Sequence, residues 1–219
     1  MANQNSEGKI NAIMTVLRNA MLLVRDNAPL NLESSDFGSI QSVEKSPFSE
    51  FGSAYTFRNK LTPESDIKII TMDDPLNYSD DRSRVAIVPS SFELNFYVVV
   101  RDITPSMLKE QLDLADYWID ADGEIHNYND MGPGISPMPK LHLYLYRANM
   151  RTTSQFPVDV ELSYGDGTSE ESSGTKPSLW TVNIRRAYPY LTPAMRKQKR
   201  EEAAARANAA YGKSKGGEQ

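Results

Sequence analysis

The stretch from Phe92 to Trp118 constrains this chain more than any other. Phe92, Leu94, Phe96, Val98 and Val100 alternate with Glu93 and Asn95 at the period of two that a strand imposes. Tyr97 and Val99 make its far end apolar on both faces, which predicts a central strand covered on both sides. Asp102-Ile-Thr-Pro-Ser closes the strand. Thr104 suits an N-cap and Pro105 the first helical position, where a missing N–H costs nothing. Leu108, Leu112, Ala115 and Ile119 then recur at helical spacing, with Met107, Gln111, Leu114 and Trp118 alongside. One strand followed by one amphipathic helix is thus the expected core of a single domain.

What surrounds this unit can be bounded by composition. A length of 219 residues suits one domain plus tails. No window approaches the roughly 18 consecutive apolar residues of a membrane span. The N-terminus, from Met1 to Lys9, lacks the basic start, apolar run and cleavage site of a signal peptide. A cytoplasmic, non-secreted protein is therefore expected. Without cysteine, disulfides, thiolate nucleophiles and Cys-ligated zinc are excluded.

The formal charge of −5 hides an asymmetry. Residues 196–219 hold seven basic and three acidic side chains, a formal +4, which leaves −9 on the rest of the chain. Coulomb repulsion opposes a phosphate-tracking groove on such a body, whereas the tail is free to make phosphate contacts.

In chain order, Ile10, Ile13, Met14, Leu17, Met21 and Val24 form an i, i+3, i+4, i+7 stripe that ends at Asn27-Ala-Pro29. Such a helix either packs on its own domain or docks on a neighbouring subunit, and the second reading makes these six residues a self-association surface. Residues 31–63 show no sustained period and read as an irregular linker carrying scattered aromatics. Residues 66–71 and 85–88 read as strands, the second ended by Pro89, with an acidic loop between them. Residues 141–146, 158–164 and 179–185 alternate strictly, and successive strands without helices between them argue antiparallel pairing. The segments at 127–139 and 165–178 read as loops. Thr192 and Pro193 suit the start of a terminal helix, Ala-rich and charged, that projects from the body.

The expected fold is α+β: an antiparallel-rich sheet with one helix packed after the central strand and helical arms at both ends. The expected divisions are an N-terminal arm at 1–30, a linker at 31–63, a core domain at 64–190 and a basic tail at 191–219.

Site chemistry is sparse. Phosphate-binding, dinucleotide-binding and nucleophile-elbow motifs are all missing. His126 and His142 belong to no H-E-x-x-H or H-x-E pattern, so a histidine metal site needs carboxylates from elsewhere. Asp120, Asp122 and Glu124 suggest a calcium loop. However, placing Gly123 sixth puts Trp118 first and Asn129 twelfth, where carboxylates are required. A solvated turn is expected there, and a solvated loop at Asp73, Asp74, Asp80 and Asp81. Arg196, Lys197, Lys199 and Arg200 form a basic cluster that fits phosphate contact, nuclear import or simply the charged face of a helix.

Val98-Val-Val-Arg101, Pro105, Asp113-Leu-Ala115, Trp118, Gly123 and Lys140-Leu-His-Leu-Tyr-Leu145 occur in an order that resembles the core of rhabdovirus-type matrix proteins. That resemblance covers residues 92–185. It implies a structural protein of a virion that self-associates and contacts nucleoprotein, with at most peripheral membrane contact. The acidic body and the missing budding motifs depart from the family. The expected function is accordingly a non-enzymatic assembly protein, with no cofactor and with itself and nucleoprotein or nucleic acid as partners. The alternative is a single-stranded nucleic-acid-binding module that stacks bases on Tyr144, Tyr146 and Trp180 and holds phosphates with the basic tail.

Overall fold

The structure is a computed structural model that describes residues 2–33, 36–133, 141–165, 178–187 and 193–215. A long helix, α1 (Ala2–Val24), precedes four strands: β1 (Ser39–Lys45), β2 (Ser53–Arg58), β3 (Ser65–Asp73) and β4 (Ile87–Val100). A short helix, α2 (Pro105–Leu112), leads into the two-residue strands β5 (Trp118–Ile119) and β6 (Ile125–His126). Then come β7 (Asp130–Pro133), β8 (Leu141–Arg147), β9 (Val158–Gly165) and β10 (Ser178–Arg186), and finally α3 (Pro193–Lys215). Eight strands form one antiparallel sheet in the order β1-β2-β3-β4-β10-β9-β8-β7, and β5 pairs with β6 in a separate hairpin. The fold is α+β, as the alternation patterns imply.

Register assigns the two faces. Phe57 lies opposite Ile67, Ile67 opposite Leu94, Leu94 opposite Val182, Val182 opposite Leu162 and Leu162 opposite Tyr144. Residues directly opposite one another share a face, and this row belongs to the hydrophobic core with Phe92, Phe96, Val160, Tyr164 and Ile184. The other face carries Lys68, Glu93, Asn183 and Glu161 in one row and Ser91, Arg185, Asp159 and Arg147 in the next. One face is thus sealed and the other is polar.

The stripe of α1 seals the apolar face. Ile13, Leu17 and Val24 are fully buried, Met14 and Met21 nearly so, and Ile10 packs partly buried against the same core. Each such side chain contributes roughly 1.5–3 kcal/mol. The expectation that these six residues form a self-association surface is corrected by their position: they are core side chains of their own chain. Asn27, with a positive φ, and a hydrogen bond from the Ala28 N–H to the Leu22 carbonyl turn the chain after the helix.

Thr104 caps α2 as the sequence suggests, its hydroxyl oxygen accepting from the Met107 N–H at 3.2 Å, with Pro105 first in the helix. The helix is shorter than its apolar spacing implies. Asp113 takes a left-handed conformation, and the N–H groups of Asp113 and Leu114 bond back to Glu110 and Lys109, a Schellman-type ending. Leu114 and Ala115 then run along the edge of β8, bridging Ala148 and Arg147. Their hydrophobicity serves a sheet edge rather than another helical turn.

Three further expectations are corrected. Residues 31–63 contain β1 and β2; β1 is an outer strand of mostly polar, exposed residues, so it has no apolar alternation to reveal it. Pro89 does not end a strand. It sits inside β4 at a bulge, with Thr71 opposite Pro89 and Ile70 opposite Ser91, a position where a missing N–H is tolerated. Nor is the far end of β4 covered on both sides. Leu179 pairs with Val100 but Thr181 with Asn95, so residues 96–99 bow away from β10 and leave Tyr97 and Val98 exposed.

Candidate functional site

The open polar face acquires a cleft because the β5–β6 hairpin leaves the β8 edge and leans back over it. The chain is anchored at both feet of this excursion. The Arg147 N–H donates to the Tyr117 carbonyl at one foot, and the Leu145 N–H to the Asn129 carbonyl at the other, each at 2.9 Å. Between them lies a cleft of about 780 Å³, walled by Trp118, Asp120 and Asp122 of the hairpin and floored by Arg147, Asp159 and Arg185.

The hairpin itself is tightly determined. Gly123 has φ +89°, and the Asp120 Oδ1 accepts from the N–H groups of Asp122 and Glu124 at 3.0 and 2.9 Å. The glycine closes a turn that side chains would strain. Trp118 lies opposite His126, and the Asp120 N–H donates to the Glu124 carbonyl. With the period of two, Trp118, Asp120, Glu124 and His126 all fall on one face of the ribbon. The His126 ring stacks on Trp118 with centroids 4.3 Å apart at 18°, and Tyr128 meets both rings edge-on. His126 Nε2 lies 2.9 Å from Asp120 Oδ2. That hydrogen bond, aided by the two backbone N–H groups, holds the Asp120 carboxyl below the usual range. The solvated turn expected at 120–124 is therefore a turn, but one whose carboxylate is engaged.

On the floor, Arg147 Nε donates to Asp159 at 2.7 Å, Arg185 to Glu161 at 3.1 Å and Asn183 to Glu161 at 3.1 Å. Burial pushes the Asp159 carboxyl up, outweighing the opposing pull of Arg147 and Arg185. The cleft thus offers alternating cationic and anionic groups that are already paired.

Elsewhere the sequence candidates separate. Asp73 is fixed by Arg82 Nε at 2.6 Å and Asp81 by Arg84 at 3.1 Å, so half of the acidic loop is taken up by its own arginines. The loop meets α3: the Lys199 ammonium lies 5.4 Å from the centre of the Tyr78 ring. Lys197 pairs with Glu201 at 3.9 Å and Arg200 is exposed. The backbone of Arg196 lies in α3, while its side chain, Thr192 and residues 134–140 and 166–177 lie outside the described residues; of the loop expected at 127–139, residues 130–133 form β7 instead. Among the described residues, the basic cluster meets the loop after β3 while the α1 stripe faces the core. His142 pairs with Asp130 and stacks on Tyr144 at 5.0 Å. Tyr146 is buried in the core and Tyr144 packs partly buried against it. Both tyrosines are on the sealed face, which corrects their assignment as a base-stacking platform. Trp180 is half-buried against Gly165.

Asp120, Glu124 and His126 match none of the metal-binding patterns considered from the sequence, and the fold brings them together. Among the described residues they are the one group of three potential metal ligands that converge, their ligand atoms all within 4.8 Å of one another. The signal was the spacing Asp-x-x-x-Glu-x-His across a turn with glycine at its fourth position.

Comparison with known proteins gives no match: no family model, no curated protein and no solved structure resembles this chain. Among the described residues, no helix is long and apolar enough to cross a membrane.

Proposed function

We propose that this chain is a non-enzymatic assembly protein that receives a polar partner segment in the cleft between the β5–β6 hairpin and the open sheet face. One observation carries the reading: the Arg147–Asp159 and Arg185–Glu161 pairs on the cleft floor. Arginine held beside carboxylate presents fixed donors and acceptors into which a partner's own charged groups exchange. Charges arranged this way suit recognition better than proton transfer. The cleft volume falls within the roughly 300–1,000 Å³ of ligand sites. Matrix-like assembly is one form of this function. The position of Trp118 on a hairpin, rather than at the end of a helix, loosens that correspondence.

Selection of peptides from a displayed library on the full chain tests the reading. Enriched sequences should carry charged residues and lose binding to the double variant Arg147→Glu, Arg185→Glu. Failure to enrich any sequence, or indifference of the enriched ones to charge reversal, would refute it.

Exposure favours a second contact through α3. Its described side chains are almost all exposed, and Lys197, Lys199 and Arg200 lie in its first half. A nucleoprotein or nucleic acid is the partner that this charge suits. Titration with single-stranded nucleic acid should show salt-dependent affinity that disappears when residues 193–219 are removed. Affinity unchanged by the truncation would exclude the helix as the contact.

A further inference from the structure

We propose that Asp120, Glu124 and His126 form a binding site for a divalent transition metal of the zinc class. The set is not a patch of acids. It joins one imidazole nitrogen to two carboxylate oxygens, drawn from the two sides of a turn and brought together on one face of the ribbon. Zinc bonds to nitrogen and oxygen are about 2.0–2.2 Å long. Ligand atoms within 4.8 Å of one another therefore surround an ion after only small side-chain rotations.

The donor set selects the cation. Calcium asks for six or more oxygens and magnesium for a near-octahedral oxygen shell. Three ligands that include an imidazole suit zinc or a neighbouring transition ion, with a fourth position open to water.

Supporting contacts orient the ligands. Asp120 Oδ1 is engaged by two backbone N–H groups, which leaves Oδ2 for the cation. His126 Nε2 and that Oδ2 share a proton at 2.9 Å, and a cation entering between them takes the proton's place. Stacking on Trp118 fixes the plane of the imidazole, the kind of outer support that tunes metal affinity. Glu124 is exposed and swings in from the far side of the turn. None of this depends on the cleft having a partner.

Zinc chloride titrated into the full chain, in competition with a chromogenic zinc chelator, tests the site. The expected result is saturable uptake of about one equivalent, with calcium and magnesium failing to compete. Asp120→Asn, Glu124→Gln and His126→Ala should each weaken uptake at least about tenfold. Because the Glu124 side chain is exposed, Glu124→Gln leaves the hairpin intact, and circular dichroism should confirm this. No saturable uptake by the unmodified chain at ~0.1 mM zinc, or uptake indifferent to all three substitutions, would overturn the proposal.

Discussion

The guanidinium of Arg186, at the end of β10, donates from Nε to the main-chain carbonyl of Val24, the last residue of α1, at 2.9 Å. The same group reaches Asn27 Oδ1 at 2.6 Å and lies 3.6 Å above the ring of Phe156. A buried cation at a helix C-terminus satisfies carbonyls that have no partner within the helix.

Replacing Arg186 with Met keeps the bulk and removes these bonds. It should destabilise the fold by about 2–4 kcal/mol, since charged hydrogen bonds are lost and a buried carbonyl is stranded. Denaturant unfolding would measure this, and a change below about 0.5 kcal/mol would mean that the contact contributes little.

Ile13 and Leu17 are fully buried beneath the sheet. Converting both to Asp places two carboxylates in an apolar interior without partners. The expected outcome is loss of the cooperative unfolding transition. A folded variant whose light-scattering mass falls would show instead that α1 belongs to a subunit contact.

Leu112 is nearly fully buried at the end of α2 and belongs to the same core. Leu112→Ala should cost about 2–5 kcal/mol. A loss under about 0.5 kcal/mol would show that α2 does not pack as described.

Two aspartates should respond to pH with opposite signs. Hydrogen bonds from Asn149 and Arg151 hold the Asp113 carboxyl below its ordinary value of 3.8. Its contribution is present above that value and lost as pH falls through the lowered one. Asp159 is raised by burial, so the native state holds its proton more tightly than the unfolded chain does. Stability from Asp159 therefore declines as pH rises from 3.8 through the raised value and is flat above it. Unfolding midpoints across the acidic range should show Asp113→Asn flattening the acid limb and Asp159→Asn removing the decline. Parallel curves for both variants and the unmodified chain would refute the assignment.

Strands with one buried face were legible because burial writes a period of two into the sequence, as in residues 92–96 and 158–162. β1 was not, because Gln41, Val43, Glu44 and Lys45 are exposed on an outer strand where burial selects nothing. The length of α2 was overread because Leu114 and Ala115 continue the helical spacing while serving the β8 edge. Pro89 was overread as a break because one extra residue in a bulge removes the need for its N–H. At the hairpin, Asp120, Glu124 and His126 become neighbours only once the turn at Gly123 has set the register. The spacing Asp-x-x-x-Glu-x-His signals that pairing only when residues 118–126 are taken as a two-stranded ribbon rather than as the end of a helix. The cleft depends on the hairpin folding back over β8 and β9, a long-range relation that no local pattern encodes.

β10 lies between β4 and β9, although it is the last strand in chain order. Until residues 178–186 have been synthesised, β4 and β9 each keep a bare edge, and the two halves of the sheet are not joined by strand pairing. Non-local pairing of this kind slows folding, and bare strand edges invite association with other chains. On the ribosome, then, the edge of β4 waits unpaired while the chain from 101 to 177 is made, and over that stretch pairing with another chain competes with the strand still to come.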